Sequence, residues 1–280
     1  MALEQLVRTQ PSYILGHAED ELDRLIDQAR FFGDLTEQVL RLAGLEPGMR
    51  VLDVGCGTGD VSFLAARLVG PDGAVVGIDR SAEAVEVARR RAAGAGLHHV
   101  HFIAVDAAEV ELEAPVDAVI GRLVLMYFPD PAAVLRRLVG WLAPGGIVAF
   151  QEMDMTSPTS EPRCEAFETA GRRLTETFSR AGIDLRTGLK LHRIFRQAGL
   201  PAPRLIQGAR VEAGPASPIY AWLEQTTRTL LPLMERTGVA TAAEVAVETL
   251  AERLREEAVA RDAVLVPPPL IGAWARTGHC

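Results

Sequence analysis

The residues best suited to chemistry lie in one short run, Val51-Leu-Asp-Val-Gly-Cys-Gly-Thr-Gly-Asp60, where β-branched residues lead into the spacing Asp53-x-Gly55-x-Gly57-x-Gly59. This reads as a strand turning directly into a helix, and its glycines let the backbone bend sharply and approach a ligand with no Cβ in the way. A dinucleotide fingerprint would place a glycine at position 60, where Asp60 stands instead. An acid in the first helical turn repels a pyrophosphate, and no lysine follows as a triphosphate loop requires. The loop therefore suits a cofactor without phosphates. Two more acids end apolar runs: Asp79 closes Val75-Val-Gly-Ile-Asp79, and Asp106 closes Phe102-Ile-Ala-Val-Asp106. An aspartate at a strand end is commonly a turn or helix cap. At Asp79, however, Ser81 already supplies the cap of the following helix. Together with the glycine loop, the two acids form a specific pattern that neither makes alone.

These acids need a scaffold, and the surrounding sequence supplies one by alternation. Apolar runs at 50–54, 74–78, 100–105, 116–120 and 147–150 are separated by helical patterns at 61–69, 82–93 and 132–142, with Ser81 and Asp130 as N-caps. Strands alternating with helices imply right-handed crossovers and a mainly parallel sheet covered on both faces. Ligands of such sheets bind outside the carboxyl ends of the strands, where the strand order reverses. Ahead of the first strand, Leu22 to Ala43 repeat apolar residues at helical spacing, as one or two amphipathic helices. After Met153 the rhythm changes to helices at 161–180 and 189–198, a strand at 204–211, helices at 219–236 and 242–260, and a final strand at 270–276.

From Met49 to Asp154 the chain resembles the class I S-adenosylmethionine-dependent methyltransferases, more narrowly the branch that includes the ubiquinone and menaquinone biosynthesis enzymes; the likeness weakens toward the C-terminus. The resemblance implies an α/β fold: a Rossmann-like, doubly wound seven-stranded sheet, mainly parallel with an antiparallel last strand, plus helical lid additions. It implies a core over residues 46–214, an N-terminal helical lid over 1–45, a helical insertion over 215–262 and a final core strand within 263–280. The implied cofactor is S-adenosylmethionine, leaving as S-adenosylhomocysteine. Asp53, Gly55, Cys56, Gly57 and Gly59 match the loop that passes under its methionine part. Asp79, followed by Arg80, matches the acid that binds both ribose hydroxyls. Asp106 with Ala107 matches the pair that reads adenine, and Arg122 falls in a loop, Gly121 to Asp130, that lines the methyl end and the substrate pocket.

Methyl transfer from a sulfonium depends chiefly on proximity and alignment. Candidates for any further catalytic role are Tyr127, Glu152, Asp154 and His192, none with a firm assignment. No Cys/His/carboxylate cluster has metal-ligand spacing, so no metal is expected.

The formal charge of −8 argues against non-specific phosphate-backbone binding, which needs a basic face. Cys56, Cys164 and Cys280 are odd in number and far apart, as expected of free thiols in a reducing cytosol. The first residues, Met1 to Ser12, show no signal-peptide core, and no run of about 18 apolar residues exists to span a bilayer. A cytoplasmic enzyme acting on a small molecule is the leading expectation. A protein or RNA methyltransferase, and a protein that binds the same cofactor for another purpose, stay open. Substrate choice is expected in residues 13–43 and 215–260, with the long insertion serving as a lid or as a dimer interface.

Overall fold

The computed structural model describes residues 19–156 and 158–278, with side chains from Phe31 onward. Met1 to Ser12, Tyr13 and Cys280 lie outside the described residues, and so do the expectations attached to them. Helix α1 (Glu19–Ala43) leads into β1 (Arg50–Val54), α2 (Asp60–Val69), β2 (Ala74–Asp79), α3 (Ala82–Gly94), β3 (Val100–Ala104), β4 (Val116–Arg122), α4 (Pro131–Val139) and β5 (Leu142–Met153). There follow β6 (Thr159–Glu161), α5 (Glu165–Arg180), α6 (Thr187–Gln197), β7 (Arg204–Gly208), β8 (Glu212–Ala213), α7 (Ile219–Arg236), α8 (Ala242–Val245), α9 (Leu250–Ala260), β9 (Val264–Val266) and β10 (Leu270–Arg276). Short 3-10 turns occupy Leu125–Tyr127 and Val247–Thr249.

The main sheet has seven strands in the order β3-β2-β1-β4-β5-β10-β7, all parallel except β10, which runs antiparallel to both neighbours. This is the expected α/β class. The order reverses between β1 and β4, so the loops leaving those two strands open onto one crevice. Alternate side chains along each strand feed opposite faces. Val51, Val75 and Ile120 pack with α1, α2 and α3, whereas Leu52, Val119 and Val148 pack with α4 and α6. Ser81 caps α3 by accepting from Ala84 N at 3.2 Å, and Asp130 caps α4 by accepting from Ala133 N at 2.9 Å. Both caps are the ones expected from sequence.

A third apolar cluster joins Phe31 and Phe32 of α1, Phe167 and Leu174 of α5, Trp222 and Leu230 of α7, and Leu254 of α9 with Met126 and Met153 at the carboxyl end of the sheet. The Phe31 and Trp222 rings stack with centroids 5.0 Å apart, and Phe32 meets Trp222 edge-on at 5.7 Å. Aromatic pairs of this kind add about 0.5–1.5 kcal/mol beyond their buried area. The N-terminal helix and the long insertion are therefore joined to each other.

Several elements differ from expectation. The helix placed at 132–142 stops at Val139, because Gly140 ends it and β5 takes up pairing from Leu142. The helix placed at 161–180 begins only at Glu165, since residues 159–161 pair instead with β9. The stretch at 242–260 breaks at Ala246, whose φ of 47° is left-handed. A small sheet, β6-β9-β8, was not legible, as strands this short carry no period. It alters the reading of the insertion. Strands β7 and β10 still form an antiparallel pair, β8 and β9 extend it, and helices α7 to α9 sit at its tip. Among the described residues, no helix is long and apolar enough to cross a membrane.

Candidate functional site

Strands β1, β2, β4 and β5 end at one cavity of about 430 Å³, lined in turn by Val54, Asp79, Arg122 and Met153. Its first half is built by the glycine loop. Gly55 has φ 69°, and a Cβ there would lie 2.4 Å from Val124 Cγ2, so glycine is required by both conformation and space. The N–H groups of Gly55 and Cys56 both donate to Ile78 O, at 2.8 and 2.9 Å, tying the loop to the end of β2. Asp79 completes the brace: its Oδ2 accepts from Gly57 N and its Oδ1 from Ser81 N, each at 2.9 Å. A carboxylate has about four lone-pair sites, so acceptor capacity remains.

Of the residues expected at a cofactor, Gly55, Cys56, Gly57, Asp79, Arg80, Asp106, Ala107 and Arg122 all line this cavity. Asp106 also turns its own loop, accepting from Ala108 N at 2.8 Å. Its capping role and its position at the cavity therefore coexist. Asp53 and Gly59 lie elsewhere. Asp53 is buried beneath the loop, where its Oδ2 accepts from Ser62 Oγ at 2.6 Å. Desolvation pushes its pKa up to about 7, against the opposing effects of the Ser62 bond and the Arg122 charge. Gly59 caps α2 with φ 91°, where a Cβ would meet the Phe102 and Phe63 rings. Burial, with Asp53 and Asp79 nearby, raises the Cys56 thiol well above its ordinary range, so it faces the cavity as a neutral group.

One inference about Asp60 needs correcting. Its carboxylate is paired with Arg91 at 2.7 Å, and its other oxygen accepts from Thr58 Oγ1 at 2.8 Å. Its charge is thus balanced within the fold, and bare repulsion of a pyrophosphate is weaker than sequence implied. The missing glycine at position 60 remains the stronger argument.

The second half of the cavity is apolar. Met126, Tyr127, Met153, Met155, Phe167, Leu174, Phe178, Trp222 and Leu223 wall it, with Thr175 and Thr226 among them. Helix α5 contributes more lining residues than α7, although specificity is expected from sequence in residues 13–43 and 215–260. The signal was present as the stripe Phe167, Gly171, Leu174, Phe178 at helical spacing. Nothing local said which way that stripe faced.

Of the catalytic candidates, Tyr127 lines the cavity and Glu152, Asp154 and His192 do not. His192 is exposed on α6. Asp154 turns its own loop, accepting from Thr156 N and Oγ1. Glu152 is fully buried, and its Oε1 accepts from Val124 N at 2.9 Å and Leu125 N at 2.7 Å, holding the 3-10 turn that carries Met126 and Tyr127. Desolvation lifts its pKa to about 7, although these backbone bonds favour the anion. Among the described residues, no group of three or more His, Cys, Asp or Glu could hold a metal ion.

Residues 45–199 match the family described as Methyltransferase domain, which covers more than half of the chain. Among curated proteins, the chain is similar to the trans-aconitate 2-methyltransferase of Methylobacterium radiotolerans, 38% identical over 44% of this chain and 45% of the relative. It is also similar to the aklanonic acid methyltransferase of a Streptomyces species, 35% identical over 43% and 55%, and to the demethylmenaquinone methyltransferase of Listeria monocytogenes, 36% identical over 40% and 48%. The chain spans about half the length of the curated relatives it matches. Among solved structures it resembles a phosphoethanolamine N-methyltransferase of Haemonchus contortus in complex with S-adenosylhomocysteine, with TM-score 0.55, 20% identity, and 88% of this chain on 52% of that one. It also resembles the [4+2]-cyclase SpnF, with TM-score 0.52, 23% identity, and 88% on 82%. At those identities the likeness is one of fold, and the two names show that this fold serves more than one reaction. Carried by the domain match and by the strand order that builds the glycine-loop crevice, the chain belongs to the class I S-adenosylmethionine-dependent methyltransferases.

Proposed function

We propose that this protein transfers the methyl group of S-adenosylmethionine to a small, largely apolar acceptor. The observation that carries the reading is the continuity of one cavity, with the glycine loop and strand-end acids in one half and an apolar chamber in the other. The chain fits the cofactor: Asp79 keeps acceptor capacity for the ribose hydroxyls, Ile78, Ala84 and Ala107 offer an apolar slot beside Asp106 for adenine, and Gly55 and Gly57 permit close backbone approach. When bound, S-adenosylmethionine supplies an electrophilic methyl group on a sulfonium. The residues of the chamber hold the acceptor, exclude water and fix its approach, effects able to supply roughly 7–11 kcal/mol. Tyr127, Thr175 and Thr226 are the polar side chains on the wall of the chamber.

The names of the relatives support a metabolite rather than a nucleic acid, as does the formal charge of −8. Trp222 Nε1 and Thr226 Oγ1 are buried without hydrogen-bond partners on side chains that line the chamber. Of the lid assigned to residues 1–45 and 215–262, residues 1–18 lie outside the described residues; for the remainder the reading is supported by the stacking of Phe31 on Trp222 beside the chamber. The reading places the enzyme in the cytosol, where the buried thiols of Cys56 and Cys164 stay reduced.

Mass spectrometry of ligand that co-purifies with the protein tests cofactor and acceptor together. Release of S-adenosylhomocysteine with an apolar metabolite supports the reading. Cofactor binding with no release across a panel of such acceptors would point to a use other than methyl transfer.

A further inference from the structure

Arg210 stands between β7 and β8, where the insertion leaves the main sheet, and its side chain reaches across to α1. Its Nη1 donates to Phe31 O at 3.0 Å, and its guanidinium carbon lies over the Phe31 ring, 4.8 Å from the centroid. Asp34 is 3.4 Å away but exposed, so that ion pair adds little. On its other side, Arg210 Nε donates to Glu212 Oε1 at 2.7 Å. Glu212 is buried, and its Oε2 accepts from Ser217 Oγ, whose oxygen in turn accepts from Ile219 N in the first turn of α7. One guanidinium thus joins α1 to the start of α7 through a carboxylate with both oxygens in use. Gly208 lets β7 approach α1 closely just before this point, as a Cβ there would lie 3.0 Å from Leu35 Cδ2.

The ring that Arg210 covers is the one that holds the wall of the chamber. Phe31 is buried and stacks on Trp222 with 7° between the planes, while Phe32 meets Trp222 edge-on. Trp222 lines the chamber, yet among the described residues its Nε1 has no hydrogen-bond partner. An indole without a polar anchor takes its orientation from the rings it packs against. Phe31 is fixed in turn by Arg210, since a cation is attracted to the face of a ring and a backbone bond holds the same guanidinium in register with it. Order therefore runs from Glu212 through Arg210 and Phe31 to Trp222. Of these four, Trp222 alone lines the cavity.

We propose that Arg210 is a positioning residue for the apolar chamber: it clamps Phe31 to the root of the insertion, so that α1 and α7 move as one body and the Trp222 wall keeps its place. The inference rests on the reading of that chamber as the acceptor half of the site. Arg210 does what a neutral side chain of similar length does not, attracting a ring face while its fork binds a carboxylate and a carbonyl at once. With that cation gone, Glu212 keeps Ser217 as its side-chain donor, and a buried carboxylate that loses its counter-charge destabilises the elements around it. The start of α7 and the Phe31 turn of α1 loosen together.

Fluorine NMR of the full chain labelled with fluorotryptophan tests this without any ligand. The chain has 3 tryptophans, and the resonance of Trp222 is the one lost in Trp222→Phe. Arg210→Met should move that resonance toward the position of the free amino acid and leave those of Trp141 and Trp274 where they are. Hydrogen exchange should quicken about tenfold in residues 31–43 and in Ile219–Arg236 alike, with β1 and β4 unchanged. Arg210→Lys, which keeps the cation but not the planar fork, should recover part of both effects, and it carries the same test if Arg210→Met does not fold. Calorimetric affinity for S-adenosylhomocysteine should stay within about twofold in either variant, since the glycine loop and Asp79 are untouched; a general structural lesion would lower it with the rest. A Trp222 resonance that does not move, exchange that quickens in one helix and not the other, or an equal change in the core strands overturns the proposal. Failure of the unaltered protein to methylate any apolar acceptor strikes the acceptor reading and leaves the clamp standing.

Discussion

Asp79 Oδ2 accepts the backbone N–H of Gly57 at 2.9 Å, joining the acid that ends β2 to the middle of the loop that follows β1. One side chain thus shapes the glycine loop and offers its remaining lone pairs to a ligand. Asp79→Ala is expected to lower affinity for S-adenosylhomocysteine at least tenfold, since charge-assisted bonds are worth roughly 1.5–3 kcal/mol each. Asp79→Asn should fall in between, because its amide can still accept from Gly57 N. Titration calorimetry decides, and an Asp79→Ala affinity within twofold of the unaltered protein would remove the ribose role.

Gly55 tests the tightness of the loop from the other side. Gly55→Ala forces an alanine to φ 69° and sets its Cβ 2.4 Å from Val124 Cγ2. The expected loss of stability is about 2–5 kcal/mol, the sum of a left-handed penalty and overpacking. Only the second part can be relieved. Adding Val124→Ala to Gly55→Ala should therefore regain stability in urea denaturation, and a double variant no more stable than Gly55→Ala would show that the clash does not govern.

The buried carboxyl of Glu152 predicts a pH dependence with a definite sign. Its pKa is about 7 in the fold against an ordinary 4.5, so the folded state holds the proton more tightly. Below pH 4.5 both states are protonated and the group contributes no difference. As pH rises toward 7 the unfolded chain loses its proton first, and the folded state bears a penalty that reaches about 3 kcal/mol. Glu152→Gln does not titrate, and its amide oxygen can still accept from Val124 N and Leu125 N. The variant should gain stability over the unaltered protein between pH 4.5 and 7 and hold that gain above. Asp53 titrates in the same window but is present in both proteins, so it cancels from the difference. Urea midpoints at pH 4.5, 6 and 8 measure it, and a difference independent of pH would refute it.

If α1 and α7 act as a lid, ligand should quiet both. Hydrogen exchange with S-adenosylhomocysteine plus an acceptor is expected to show rising protection in Ile219–Arg236 and in residues 22–43 together, because Phe31 and Phe32 pack on Trp222. Unchanged protection in both, with methyl transfer surviving replacement of the insertion by a short turn, would assign that insertion to an interface or to structure alone.

Sequence by itself determined the parts that depend on neighbours along the chain. The alternation of strands and helices, the caps at Ser81 and Asp130, and the bounds of α7 and β10 are set by side-chain period and by bonds spanning a few residues. The loop around Gly55 was legible for the same reason, since the conformation it needs excludes other residues locally. Tertiary structure decided what each apolar stripe met and what each charge paired with. The stripe on α5 is legible as helical from its spacing alone, and only folding turns Phe167 and Leu174 into the wall of a chamber. Asp60 looked like a bare charge until Arg91 was brought to it, and Asp53 looked like a ligand contact until Ser62 and burial enclosed it. Thr36 and Gln151 carry no signal at all, because the hydrogen bond between them joins segments 115 residues apart, and the period of a sequence records which face is apolar but not which surface it will meet.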